Sequence, residues 1–140
     1  MRKLALAAGT GAVLVLVSSA PAFAGSAPRV RHIGNTVDVT RAGKSVTISA
    51  EYRCSGVATT TATVTQSKKN AAGNYVVTSV YKSAVASGVC NGRFHSYDPK
   101  VTRTSGAALT TSGRTVVTVT LAVSGGPTLT QTGTATVVIS

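Results

Sequence analysis

Hydrophobic and polar residues alternate with a period of two along several segments of this 140-residue chain. In the clearest segment, Val46, Ile48, Ala50, Tyr52 and Cys54 alternate with polar residues at positions 45 to 53. Because successive side chains of a β-strand point to opposite faces, this pattern predicts a strand with one buried and one solvated face. The same kind of pattern predicts further strands at residues 36–40, 59–65, 117–123 and 135–139.

Polar and glycine-containing segments separate these strands. Residues 68–74 predict a surface hairpin loop, and Asn91-Gly92 is a strong hairpin signal because both residues tolerate a positive φ, so residues 94–102 are expected to run back antiparallel. Further turns are predicted at residues 42–43, 105–106, 112–113 and 125–127. Together these signals predict an all-β fold, an antiparallel, immunoglobulin-like β-sandwich of about seven to nine strands.

The first 24 residues have the pattern of a secretory signal peptide, with a basic start, an apolar run from residue 4 to 17 and Ala22-Phe23-Ala24 before the cleavage point. We therefore expect a mature protein that begins at Gly25, has no transmembrane segment and is secreted as an extracellular monomer. Residues 25–35 lack periodicity and are expected to be a flexible N-terminal segment, and residues 36–140 to form one β-sandwich domain. Secretion also predicts that Cys54 and Cys90 form a disulfide bond.

The chain is strongly basic. Its 14 Lys and Arg outnumber its three Asp and Glu, and removal of residues 1–24 leaves a net charge of +9. Such a charge favours attraction to anionic envelope or extracellular polymers, whereas the few aromatic residues argue against a specific nucleic-acid groove. The alternative is a general role of the cations in solubility and in blocking edge-to-edge strand pairing. The candidate anion-binding residues are Lys68, Lys69, Arg93, Lys100 and Arg103.

Three short motifs carry a resemblance to a known family. They are Tyr-Arg-Cys-Ser-Gly at residues 52–56, Val-Thr-Gln at 64–66, and Val-Cys-Asn-Gly-Arg-Phe-His at 89–95. A late strand with the pattern Gly-x-x-x-Val adds to them. Residues 43–121 thereby resemble a family of small secreted actinobacterial proteins of unknown function, although Tyr97 stands where that family tends to place a Trp. The resemblance implies a secreted β-sandwich with one disulfide, and it brings no known activity.

Three other functions have some support in the sequence. Size, secretion and fold class are similar to those of the neocarzinostatin-type chromophore carriers, which implies a carrier of a small apolar ligand, although those carriers have two disulfides and an acidic surface. A secreted hydrolase would need His95 to pair with Asp98, yet these positions point to opposite faces of a strand unless the chain bends. A zinc site formed by Cys54, Cys90, His32 and His95 would lack the closely spaced ligand pairs that are typical of a structural site. We therefore expect neither enzymatic activity nor a metal or other cofactor.

Threonine recurs at alternate positions in three rows. The rows are Thr59, Thr61, Thr63 and Thr65, then Thr128, Thr130 and Thr132, then Thr134 and Thr136. They could form a flat ladder of hydroxyl groups that binds ice or a glycan, but threonine is also a common residue on any solvated strand face.

Overall fold

Alternating burial is the feature on which the fold is built. The computed structural model describes residues 27–40 and 46–140; the predicted signal peptide, the cleavage point before Gly25 and the turn at residues 42–43 lie outside these residues. The strands are β1 (Arg29–Arg31), β2 (Thr36–Val39), β3 (Val46–Thr47), β4 (Ala50–Arg53), β5 (Ala58–Lys69), β6 (Tyr75–Ser83), β7 (Ala86–Ser87), β8 (His95–Tyr97), β9 (Lys100–Gly106), β10 (Arg114–Val123) and β11 (Thr128–Ile139).

Seven strands form a continuous sheet that closes on itself. Its order is β10–β11–β2–β3–β9–β6–β5, and β5 pairs with β10 to complete the ring, while β7 adds to the edge of β5. Every pairing is antiparallel except that of β2 with β11. A second, small sheet has the order β1–β4–β8.

The arrangement confirms the predicted all-β, immunoglobulin-like sandwich. The neighbours β11–β10–β5–β6 within the closed sheet, and β1–β4–β8 in the small sheet, follow the strand order of the two sheets of immunoglobulin-like domains. Two of the eleven strands of the described part are only two residues long, and the other nine agree with the predicted number.

The interior is filled by the inward residues of both sheets. Val64 is paired with Val117 on one side and with Tyr81 on the other, and all three are buried. The predicted inward row from Val46 to Cys54 is also buried throughout. This row is divided between the sheets, since β3 pairs with β2 and β9 whereas β4 pairs with β1 and β8. The period of two therefore continues across a change of sheet.

Two local expectations fail. Residues 29–31, within the segment expected to be flexible, form β1, because Val30 is buried and β1 pairs with β4. The segment after Asn91-Gly92 does not pair with the residues before Cys90. Instead β8 pairs with β4, and Asn91 itself forms a bridge to Ser55.

The predicted disulfide between Cys54 and Cys90 is present, and the described residues contain no free cysteine. It ties the end of β4 to the segment that leads into β8. Among the residues that the structure describes, no helix is long and apolar enough to cross a membrane.

We expect the double substitution C54A/C90A to lower the free energy of unfolding by about 4 kcal/mol, because the bond closes a loop of about 37 residues in the unfolded chain. Urea unfolding monitored by tyrosine fluorescence measures the change. Reductant should shift the wild-type midpoint and leave the double variant unaffected. Equal stability of the two proteins would show that the bond does not stabilise the fold.

Candidate functional site

Three cations and one exposed tyrosine meet at the end of the β5–β6 hairpin. Lys69 on β5 is paired with Tyr75 on β6, and Arg114 at the start of β10 is paired with Ser67. The Lys69 Nζ lies 5.7 Å from the centre of the Tyr75 ring, and the Arg114 Cζ lies 5.3 Å from it. We call this site the basic depression; it has a volume of about 380 Å³ and is lined by Lys68, Lys69, Tyr75, Ser112, Gly113 and Arg114.

A buried glutamine fixes the turn that carries one side of the basic depression. Gln66 is 1% exposed. Its Nε2 donates to the Thr110 carbonyl at 2.8 Å and to the Thr115 hydroxyl at 3.0 Å. Its Oε1 accepts from the Thr110 backbone N–H at 3.1 Å and from the Thr110 hydroxyl at 3.3 Å. The segment that leads into Arg114 is therefore held against β5 by a fully bonded amide.

Gly113 allows this turn to approach β5 closely. Its φ is +95°, a conformation that favours glycine, and a Cβ at this position would lie 2.9 Å from the carbonyl oxygen of Ser67. A larger residue would push the turn, and Arg114 with it, away from Lys68 and Lys69.

The charge of the basic depression is uncompensated within its lining. The six lining residues include three cations and no carboxylate. Two of the cations, Lys69 and Arg114, lie over the electron-rich face of the ring of Tyr75, a residue that is 51% exposed. Such an arrangement suits an anionic group that bridges the cations while a less polar part of the ligand lies on the ring.

The five predicted anion-binding residues do not form one surface. Lys68 and Lys69 lie together in the basic depression. Arg93 lies two residues after Asn91, which bridges to Ser55 near the small sheet. Lys100 and Arg103 lie on β9, where Lys100 is paired with Thr47 of β3 and Arg103 with Tyr81 of β6. Sequence reasoning missed Arg114, Tyr75 and Ser112 as parts of the same site. Their only signal was the polar turn before the strand at residue 114, because the β5–β10 register that joins them is long-range.

A second basic and aromatic cluster lies on the outer face of the small sheet. The guanidinium carbons of Arg31 and Arg53 lie 3.3 and 4.7 Å from the centre of the Phe94 ring. The Arg31 Nε also donates to Glu51 at 2.9 Å, and His32 Nδ1 lies 3.2 Å from the same carboxylate oxygen. The hydrogen bond from Arg31 holds the pKa of Glu51 below its ordinary value of 4.5. Glu51 therefore supplies a counter-charge in this cluster, whereas the lining of the basic depression contains no carboxylate.

The residues considered for catalysis and for zinc have other partners in the structure. His95 Nε2 lies 2.8 Å from the amide oxygen of Asn91, and within the described residues no ion pair joins His95 to Asp98. The sulfurs of Cys54 and Cys90 are bonded to each other, so neither is a thiolate that could bind zinc. Residues 27–40 and 46–140 contain no group of three or more metal-binding side chains.

Large side chains occupy the space between the sheets where an apolar ligand would be carried. Tyr81 and Leu121 are fully buried there, and the Tyr81 hydroxyl accepts from the Leu109 backbone N–H at 3.3 Å. A depression of about 330 Å³ opens beside Tyr52 and Tyr97, but Ser83, Asp98 and Lys100 also line it.

The threonine rows lie side by side. Thr120 on β10 is paired with Thr61 on β5 and with Thr130 on β11. Thr118 is likewise paired with Thr63 and Thr132. The rows on β5 and β11 were recognised in the sequence, but the part of β10 that joins them into one surface was not.

Comparison with known proteins finds similarity among solved structures but not among sequences. No known protein family and no curated protein matches the sequence. Among solved structures, murine CRIg is similar with a TM-score of 0.40 and 12% sequence identity, over 81% of this chain and 98% of that one.

We expect Gln66→Leu to lower the free energy of unfolding by about 1–3 kcal/mol, because the part-buried backbone N–H of Thr110 loses its acceptor and the buried Thr115 hydroxyl loses its donor. Chemical denaturation measures the loss. Gln131→Leu is the matched control, since Gln131 is exposed on β11, and it should change stability little. Equal effects of the two substitutions would contradict the assigned role of Gln66.

We expect Arg31→Ala to raise the pKa of Glu51 towards 4.5, because the Arg31 hydrogen bond is the main cause of the lowered value. A lowered pKa stabilises the folded protein at pH values above the unfolded pKa, and this stabilisation disappears as the pH falls through the folded pKa. Carboxyl NMR titration of both proteins measures the shift. Identical Glu51 titration curves would refute the assignment.

Proposed function

We propose that this protein is a secreted, non-catalytic binding module that holds an anionic polymer of the cell envelope or extracellular medium at the basic depression. The observation that carries the proposal is the convergence of Lys69 and Arg114 on the Tyr75 ring, next to Lys68, with no carboxylate in the lining. Like charges held close together repel each other, and a bound anionic group relieves that repulsion.

The rigidity of the basic depression supports a dedicated site. The four hydrogen bonds of Gln66 and the close approach at Gly113 fix the turn before the polymer arrives. Less conformational entropy is then lost on binding than with freely moving surface lysines. An ordered set of cations also distinguishes the site from the scattered cations Arg93, Lys100 and Arg103.

Secretion is supported by the leader-like pattern of residues 1–24 and by the disulfide, because such bonds persist in oxidising compartments. The resemblance to small secreted actinobacterial proteins points the same way. In this setting the available anionic polymers include wall phosphate polymers and acidic polysaccharides, both of which bind basic proteins through long-range attraction.

We expect the triple substitution K68A/K69A/R114A to weaken binding to isolated anionic cell-wall polymer by at least about tenfold, because the charge-assisted contacts of the basic depression are lost. Binding is measured by calorimetry at physiological ionic strength with the mature wild-type and variant proteins. R93A/K100A/R103A is the matched control because it removes the same charge from residues outside the basic depression.

Equal weakening by the two triple variants would show that net charge alone drives binding and would overturn the proposal. The proposal would also be overturned if wild-type binding disappeared well below the physiological salt concentration, since purely diffuse attraction is screened in this way. Unfolding midpoints of both variants should stay close to that of the wild type, because all six side chains lie at the surface or at its edge.

A further inference from the structure

One outer face of the closed sheet carries a lattice of threonines, which we call the threonine face. It has twelve positions, four on each of β5, β10 and β11, and each position on β10 is paired with one on β5 and one on β11. Two of the twelve positions are occupied by Ala122 and Val116. The other ten positions are Thr59, Thr61, Thr63, Thr65, Thr118, Thr120, Thr128, Thr130, Thr132 and Thr134. All twelve are exposed or half-buried, whereas the residues between them on β5 and β10 are buried.

The lattice presents hydroxyl and methyl groups at regular intervals. Outward residues repeat about every 6.8 Å along a strand, and neighbouring strands lie about 4.8 Å apart. Branching at Cβ restricts the rotation of each side chain, so the hydroxyls are ordered before any ligand binds. The Thr120 and Thr130 hydroxyls, for example, lie 3.5 Å apart.

The threonine face runs without interruption into the basic depression. On β10 the outward series that contains Thr118 and Val116 continues with Arg114, and on β5 the series that contains Thr65 continues with Ser67 and Lys69. Lys82 on β6 is paired with Thr63 and places another cation beside the lattice. The surface therefore combines an uncharged, hydroxyl-bearing area with cations at its end and side.

We propose that the threonine face binds the alcohol groups of the same polymer whose anionic groups bind in the basic depression. This rests on the function proposed above and narrows the ligand to a polymer that carries both anionic groups and hydroxyls, such as a polyol phosphate. A polymer with charge alone would leave the threonines solvated. Face-to-face packing of a second copy is disfavoured, because it would bring Lys82 and Arg114 of both copies to one interface.

The experiment compares two probes, poly(glycerol phosphate) and linear inorganic polyphosphate of equal phosphate number, by calorimetry with the mature protein. Wild type should bind poly(glycerol phosphate) more tightly. T118V/T120V keeps the shape and branching of the central strand and removes two hydroxyls. It should weaken binding to poly(glycerol phosphate) about fivefold and leave binding to polyphosphate unchanged. T47V/T104V, at half-buried and exposed positions on β3 and β9 outside the lattice, is the matched control.

Equal affinity of the wild type for the two probes, or equal effects of T118V/T120V and the control, would overturn the inference. A wild-type dimer in sedimentation that T118V/T120V abolishes would also overturn it, since a second copy would then occupy the face. If K68A/K69A/R114A fails to bind either probe while T118V/T120V binds both as tightly as the wild type, the basic depression remains the binding site. Only the role of the threonine face in binding is then excluded. If wild type binds neither probe, both proposals fail.

Discussion

The antiparallel pairing of β5 with β10 is the constraint on which the rest of this structure depends. Its ten residue pairs run from Arg114 with Ser67 to Val123 with Ala58 and complete the closed sheet. On the inner side the pairing joins Val64 to Val117 in the core, and on the outer side it joins Thr63 to Thr118. A shift of one residue would exchange these faces, so core burial fixes the position of every outward group.

The basic depression is a direct consequence of this register. Arg114 belongs to β10 and Lys69 to β5, and they meet over Tyr75 only because Arg114 is paired with Ser67. Gln66 strengthens the arrangement from inside the protein by bonding the segment before β10 to β5. The same strand pairing therefore positions both the surface cations and the buried hydrogen-bond network.

The small sheet is held together by side-chain contacts and the disulfide as well as by strand pairing. Arg31 joins β1 to Glu51 on β4 and also lies over Phe94, so an N-terminal segment without hydrophobic periodicity becomes part of the fold. The disulfide fixes the end of β4 close to the same cluster. The cations of this region are partly compensated by Glu51, whereas the lining of the basic depression contains no carboxylate.

The sequence by itself determined the all-β class, the inward rows and the cysteine pair, because alternation and turn residues are local signals and only two cysteines are available. The sequence also identified Lys68 and Lys69, which are neighbours along the chain, as candidate anion-binding residues. Only the tertiary structure decided that Arg114 and Tyr75 join them, that Arg93, Lys100 and Arg103 do not, and that threonines of β5, β10 and β11 form one face. These decisions depend on strand order and register, which are set by contacts between residues far apart in sequence, and a pattern with a period of two does not specify which strands will pair.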